Sequence, residues 1–226
     1  MNKTDSGFGI KDYYAMLRYD FRAPFIYFYE RHLFDLLNNT DTHKRLLVDD
    51  YDASTDDLNH AFNHSCSWTS SIKISINFIA KFLDSEIEKY SFFDIGSGKG
   101  KVLLTLSTIP LDKNFYSYGG VEINSNLTEI AKKNFKVMGI KDCRLSSESA
   151  KTINLGEINQ NLVLYLYNPF DEHILEEFIK NQKTDNCFII YNNPVYSEII
   201  LKNGFSKIFE KSHYMTNGRI TIFYKN

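Results

Sequence analysis

Apolar and polar positions divide the chain into two regimes. Up to about residue 90 the spacing is helical. Pro24 opens a run over residues 25–37 in which Phe25, Tyr29, Leu33 and Leu36 or Leu37 recur at helical intervals, and Asn38-Asn39 stops it. A proline costs little in a first turn, where its missing N–H has no helical partner. Residues 40–59 are polar and acidic, with Val48-Asp49-Asp50-Tyr51-Asp52 at their centre, and read as a surface connection. A second helix is predicted over residues 69–83, with Ile72, Ile76, Ile79, Ala80 and Leu83 on one face.

From Ser91 onward short apolar runs alternate with helical stretches. Strands are predicted at 92–95, 116–121, 162–167 and 187–191, and helices at 99–108, 125–138, 172–180 and around 195–202. The helix over 125–138 carries Leu127, Ile130, Ala131 and Phe135 on one face. Strand and helix alternating at this spacing argue a parallel sheet with right-handed crossovers. The rhythm breaks at the end: 205–210 and 219–224 are both strand-like, and Asn217-Gly218 between them is a hairpin signal. The prediction is an α/β domain over residues 91–226, behind a helical N-terminal extension over residues 1–90.

Composition narrows the function classes. Apolar residues make up 43% of the 226 and charged residues 24%, and 18 Phe and 15 Tyr supply ample core surface, so disorder is excluded as the main state. A formal charge of −2 gives none of the basic excess that a nucleic-acid binder uses to release counterions. Residues 1–10 lack the pattern of a secretory signal, and no apolar run approaches a membrane span. Cys66, Cys143 and Cys187 form no C-x-x-C pair, which disfavours a disulfide framework or a cysteine zinc site and fits a cytoplasmic setting. His60, His64 and Cys66 have a spacing that metals use, but no fourth ligand is evident, and no metal is expected.

The chemistry concentrates at Asp94-Ile95-Gly96-Ser97-Gly98-Lys99-Gly100, where a predicted strand passes into a helix. Glycines there let the backbone turn tightly and approach a ligand. A phosphate loop needs Lys followed by Ser or Thr, and Lys99 is followed by Gly100. The dinucleotide fingerprint needs a small residue where Lys101 stands. An acid two residues before the first glycine suits a ligand with cationic character, such as the sulfonium and ammonium of S-adenosylmethionine.

This segment resembles the first motif of class I S-adenosylmethionine-dependent methyltransferases, in the form D-x-G-x-G-x-G. Gly119-Gly120-Val121-Glu122 is similar to their second motif. The wording is close to small bacterial members and similar to protein-lysine methyltransferases of the telomeric-silencing-disruptor type. The resemblance covers roughly residues 91–226 and implies a Rossmann-like, seven-stranded, mostly parallel sheet with an antiparallel C-terminal hairpin and helices on both faces. It implies S-adenosyl-L-methionine as cofactor, held by Asp94, Gly96, Ser97, Gly98 and Gly100. Glu122 is then expected to accept the ribose hydroxyls, and Ile123 to lie along the adenine. The family's third motif, an Asp and a small residue, corresponds here to Ser149-Ala150, so Ser149 or the neighbouring Glu148 is expected at the adenine amine. Thr69, after Ser67-Trp68, either caps the second helix or touches the amino-acid end of the cofactor.

On the acceptor side, Asn168-Pro169-Phe170 ends the fourth predicted strand and resembles the [DNS]-P-P-[YFW] signature of methyltransferases acting on planar nitrogens, with one proline missing. The resemblance gives Asn168 and Pro169 the task of orienting an amine, and Phe170 that of stacking on it. Tyr191-Asn192-Asn193-Pro194 presents a second Asn-Pro turn on the same edge. Arg18, Arg22 and the tyrosines from Tyr13 to Tyr29 either cover the site as a lid or serve packing and surface. The expected activity is methyl transfer to a nitrogen of a protein or small molecule rather than a nucleic acid. A non-catalytic cofactor-binding scaffold and a nicotinamide dehydrogenase are the competing readings.

Overall fold

The computed structural model describes residues 10–18, 20–44, 66–184, 186–213 and 215–226. Among them, helix α1 (Ile10–Leu17) is followed by one continuous helical run made of α2 (Ala23–Phe28), a π-helical turn (Tyr29–Leu33) and α3 (Phe34–Asn38). Asn39, at φ 53°, terminates that run in the left-handed conformation that asparagine tolerates. The predicted stop is therefore in place, but the predicted face is only partly so: Tyr29 packs against the larger core and Leu33 is half-buried. Phe25, Leu36 and Leu37 are 70–74% exposed, and the buried positions are Ala23, Glu30 and Phe34. The π turn rotates the helix, and Glu30 is drawn inward by an ion pair with Lys101 rather than by apolar contact. His60 and His64, and the acidic stretch around Asp50, lie outside the described residues.

Helix α4 (Thr69–Leu83) has the predicted bounds. Its Ile72, Ile76 and Ile79 are fully buried in the larger core, together with Phe92, Leu104, Val163 and Ile190. Each such side chain contributes roughly 1.5–3 kcal/mol of burial. A 3-10 turn (Asp84–Lys89) leads into β1 (Ser91–Ile95), and then come α5 (Lys101–Leu106), β2 (Ser117–Val121), α6 (Ser125–Met138) and β3 (Cys143–Ser146). Helix α6 also matches its prediction. Asn124 caps it by accepting from the N–H groups of Asn126 and Leu127, and Gly139 ends it at φ 71°. A second 3-10 turn (Leu155–Glu157) precedes β4 (Asn161–Leu166), α7 (Glu172–Asn181), β5 (Asn186–Asn192), α8 (Ser197–Lys202), β6 (Ser206–His213) and β7 (Met215–Lys225).

These strands form one seven-stranded Rossmann-like sheet in the order β3-β2-β1-β4-β5-β7-β6, parallel from β3 to β5 and antiparallel at β7 and β6. β1 lies between β2 and β4, with Asp94 opposite Gly120 and Tyr165. Alternation along β1 sends Phe92 and Phe93 into different cores, one on each face of the sheet. The hairpin is real, but Asn217-Gly218 does not make its turn. The chain reverses between His213 and Met215, and Asn217-Gly218 falls inside β7. Ladder pairing along two long strands outweighs the local turn preference, and register shifts at Lys207/Phe209 and Lys211/His213 absorb the difference.

Candidate functional site

The carboxyl ends of β1, β2 and β4 converge on the glycine loop, where open α/β sheets bind ligands. The loop is folded back onto β2: the N–H groups of Gly96 and Ser97 both donate to the Val121 carbonyl, at 2.8 and 3.0 Å. Gly96 has φ +75°, and a β-carbon there would stand 2.5 Å from Pro169 Cβ. The cofactor-type loop and the Asn168-Pro169 turn are therefore in direct contact. Gly120 is required for a different reason, since a β-carbon on it would meet Ser97 at 2.8 Å.

Glu122, just past β2, is buried, and both of its carboxylate oxygens are engaged. Oε2 accepts from the Gly98 N–H at 2.8 Å and Oε1 from the Asn124 N–H at 2.9 Å. Burial raises its carboxyl above the usual range, opposed by the N–H groups of Asn124, Gly98 and Ile123. Three N–H donors leave part of the carboxylate's acceptor capacity free, so the group that shapes the loop can still accept from a ligand hydroxyl. Ile123 beside it is half-buried.

Asp94 is 3% exposed, and its carboxylate meets no cation and no hydrogen-bond donor among the described residues. Burial, and then the charge of Glu122, hold its carboxyl well above the usual range. The Ser97 hydroxyl is likewise buried without a hydrogen-bond partner. A buried carboxylate and a buried hydroxyl left unmatched are costly in a closed core, and both adjoin the loop. The arrangement is complementary to a ligand that carries a cation and a hydrogen-bonding group.

The remaining sequence-predicted residues are less uniform in placement. Thr69 gives its N–H to Glu30 Oε1 at 2.6 Å and its hydroxyl to Oε2 at 3.0 Å. It thus anchors the N-terminal helix rather than facing the loop. Ser149 is half-buried in the connection after β3 and accepts from the Lys151 N–H through its hydroxyl at 3.3 Å. Glu148 accepts from the Ser146 hydroxyl at 2.5 Å and lines a cavity of about 400 Å³. That cavity lies on the sheet face opposite Asp94, between Phe93, Val121, Arg144, Ser146 and Ile153.

Asn168 adopts φ +43° at the end of β4, and its Oδ1 accepts from the Tyr191 hydroxyl at 2.9 Å. Phe170 does not present its ring to the sheet edge. It is 9% exposed, sits in the second core, and packs against Phe178 with ring centroids 6.2 Å apart.

At this edge Tyr165 was not legible as a site residue, and Asn192 only as part of the second Asn-Pro turn. The Asn192 amide donates to the Tyr165 hydroxyl at 3.3 Å, and that hydroxyl also pairs with Ser67. Asn192 Oδ1 is buried without a partner. Burial pushes the Tyr165 phenol upward, so it stays protonated. Glu30, Lys99 and Lys101 are also buried and paired. An acid four residues before Phe34 on the buried side of a helix was the available signal for Glu30.

Among the described residues, no group of three or more His, Cys, Asp and Glu is arranged to hold a metal ion, and no helix is long and apolar enough to cross a membrane. No sequence-family model matches the chain, and no curated protein does. Solved structures similar to it include an rRNA methylase from Streptococcus thermophilus, 13% identical, covering 66% of this chain and 93% of its own, with a TM-score of 0.46. Another is an S-adenosylmethionine-dependent methyltransferase from Clostridium acetobutylicum ATCC 824, 12% identical over 67% of this chain and 89% of its own, TM-score 0.47. The magnesium protoporphyrin IX methyltransferase from Synechocystis PCC 6803, solved with its bound cofactor, is 10% identical over 98% of each chain, TM-score 0.49.

Proposed function

We propose that the protein is an S-adenosylmethionine-dependent methyltransferase acting on a nitrogen acceptor. The observation that carries this reading is the unmatched pair at the glycine loop, a buried Asp94 carboxylate and a buried Ser97 hydroxyl beside Glu122. Asp94 faces the cationic part of the cofactor, and Glu122 accepts the ribose hydroxyls while holding the loop through Gly98. In this reading the purine occupies the cavity beside Glu148 and Ser146, against Phe93 and Val121. A phosphate ligand is disfavoured. Both loop lysines are already committed to carboxylates, and Asp94 would repel an anion.

When bound, S-adenosylmethionine supplies a methyl group on a good sulfonium leaving group. The chain's own task is then to bind, orient and exclude water, which can amount to ~7–11 kcal/mol of barrier. Asn168, whose Oδ1 accepts from Tyr191 and whose neighbour Pro169 packs on Gly96, aligns the acceptor nitrogen in this reading. The nitrogen loses its proton to solvent, since among the described residues no strong base stands at this edge. A protein side chain or a small amine is the preferred acceptor, given the absence of a basic excess.

A calorimetric panel of S-adenosylmethionine, S-adenosylhomocysteine, NAD and ATP tests the reading. Binding of the first two and not of the others is expected. Binding of NAD or ATP in their place refutes it.

A further inference from the structure

Lys99 and Lys101, on either side of Gly100, are 3% and 4% exposed, and neither ammonium is offered to solvent. Lys99 Nζ meets Asp41 Oδ1 at 2.8 Å, and Lys101 Nζ meets Glu30 Oε2 at 2.5 Å while lying 4.6 Å from the centre of the Phe34 ring. Both carboxylates come from the segment 20–44 that precedes the sheet. Glu30 also takes the N–H and hydroxyl of Thr69, so one carboxylate ties the first residue of α5 to the first residue of α4. Asn134 of α6 completes the second tie. It accepts from the Asp41 N–H at 2.9 Å and donates to the carbonyls of Asp41 and Lys99 at 3.0 Å each.

Stability alone does not explain this wiring. A buried ion pair roughly cancels its own desolvation, whereas removing one partner leaves an uncompensated charge. The helix carrying Glu30 is moreover widened by a π turn at that residue, a feature often found at functional sites. The common element at the far end of both ties is the glycine loop, whose backbone must hold its shape around Gly98 and Gly100.

We infer that Glu30 and Asp41 are positioning residues, and that the segment 20–44 is a strap whose docking fixes the glycine loop, so that strap docking and ligand binding at the loop are coupled. This rests on the reading that the loop holds S-adenosylmethionine. Coupling is reciprocal: whatever factor the docked strap adds to affinity, the ligand adds to docking of the strap.

The probe is S-adenosylhomocysteine with the full chain. Asp41 is half-exposed, so Asp41→Asn leaves the fold least disturbed. Glu30→Gln, with Glu30→Gln/Lys101→Met to remove the stranded ammonium, forms the stronger arm. In the parent, ligand is expected to slow amide exchange in residues 23–38 and to shift the emission of Trp68, the single tryptophan, whose ring lies 6.3 Å from Tyr27 of the strap. In the variants both responses should vanish, and the dissociation constant should rise about fivefold or more. A purely structural role would lower the urea midpoint without abolishing the ligand-induced protection. Variants that bind within twofold of the parent, or a parent that binds without protecting residues 23–38, overturn the coupling. A parent that does not bind S-adenosylhomocysteine overturns the cofactor reading itself.

Discussion

Replacing Glu122 with alanine separates a residue that shapes the loop from one that merely touches a ligand. In the ligand-free protein the substitution strands the N–H groups of Gly98 and Asn124, which now donate at 2.8 and 2.9 Å. A hydrogen bond to a charged group contributes roughly 1.5–3 kcal/mol, so the gross loss is about 3–6 kcal/mol. Against this stands relief of a carboxylate that burial holds above its usual range. The net destabilisation expected is about 2–4 kcal/mol. Affinity for S-adenosylhomocysteine should fall in addition by about 2–4 kcal/mol, or roughly 30- to 700-fold, from the lost ribose contacts. Glu122→Gln keeps the shape and one acceptor oxygen but turns an amide toward an N–H donor, and should fall between parent and alanine variant. Urea unfolding and calorimetry measure the two quantities on the same samples. An alanine variant with the parent's midpoint and an affinity within twofold would show that Glu122 neither holds the loop nor meets the ligand.

The pH dependence of stability should reveal Asp94. Its folded carboxyl sits well above its ordinary value, so the folded state keeps the proton more tightly, and stability falls as pH rises from the ordinary carboxylate range through the folded value. Asp94→Asn should therefore melt higher than the parent at neutral pH, with the gap closing toward pH ~4, while binding a cationic ligand more weakly; parallel melting curves from pH 4 to 8 would contradict this. Gly96→Ala combines a left-handed backbone with a 2.5 Å contact on Pro169, for a cost of about 2–5 kcal/mol in calorimetric unfolding. Adding Pro169→Gly should recover the packing part and leave the backbone part; no recovery would place the cost elsewhere.

What the sequence disclosed depended on how far each signal reaches along the chain. Helices α4 and α6 were legible because their apolar stripes are regular and α6 carries its own cap in Asn124 and its own stop in Gly139. The parallel sheet followed from alternation, yet β3 went unread as a pattern. It is a short edge strand with no fully buried position. The N-terminal helix was found with a face only partly right, since the partner that buries Glu30 lies 71 residues away. The glycine loop could be located because turn chemistry is local, and Glu122 because the motif it resembles sits at the end of the next strand. Asn168 was placed too, but its engagement by Tyr191 depends on two strands meeting across the sheet. Phe170 shows the same limit: an aromatic after Asn-Pro reads identically whether it meets a ligand or, as here, Phe178.

The position of β7 bears on how the molecule is made. It is inserted between β5 and β6, so residues 215–225 form an interior strand although they follow both neighbours in the chain. Until they arrive, β5 has one unpaired edge along Cys187–Asn192, flanked by the large apolar side chains Phe188, Ile190 and Tyr191. Such an edge is a template for pairing with another chain. A nascent polypeptide thus remains exposed to misassembly until this ladder closes, the kind of distant pairing that slows folding. Asn192, which meets Tyr165, pairs with Ile220 in that ladder, so the edge proposed to receive the acceptor is complete only once β7 has joined β5.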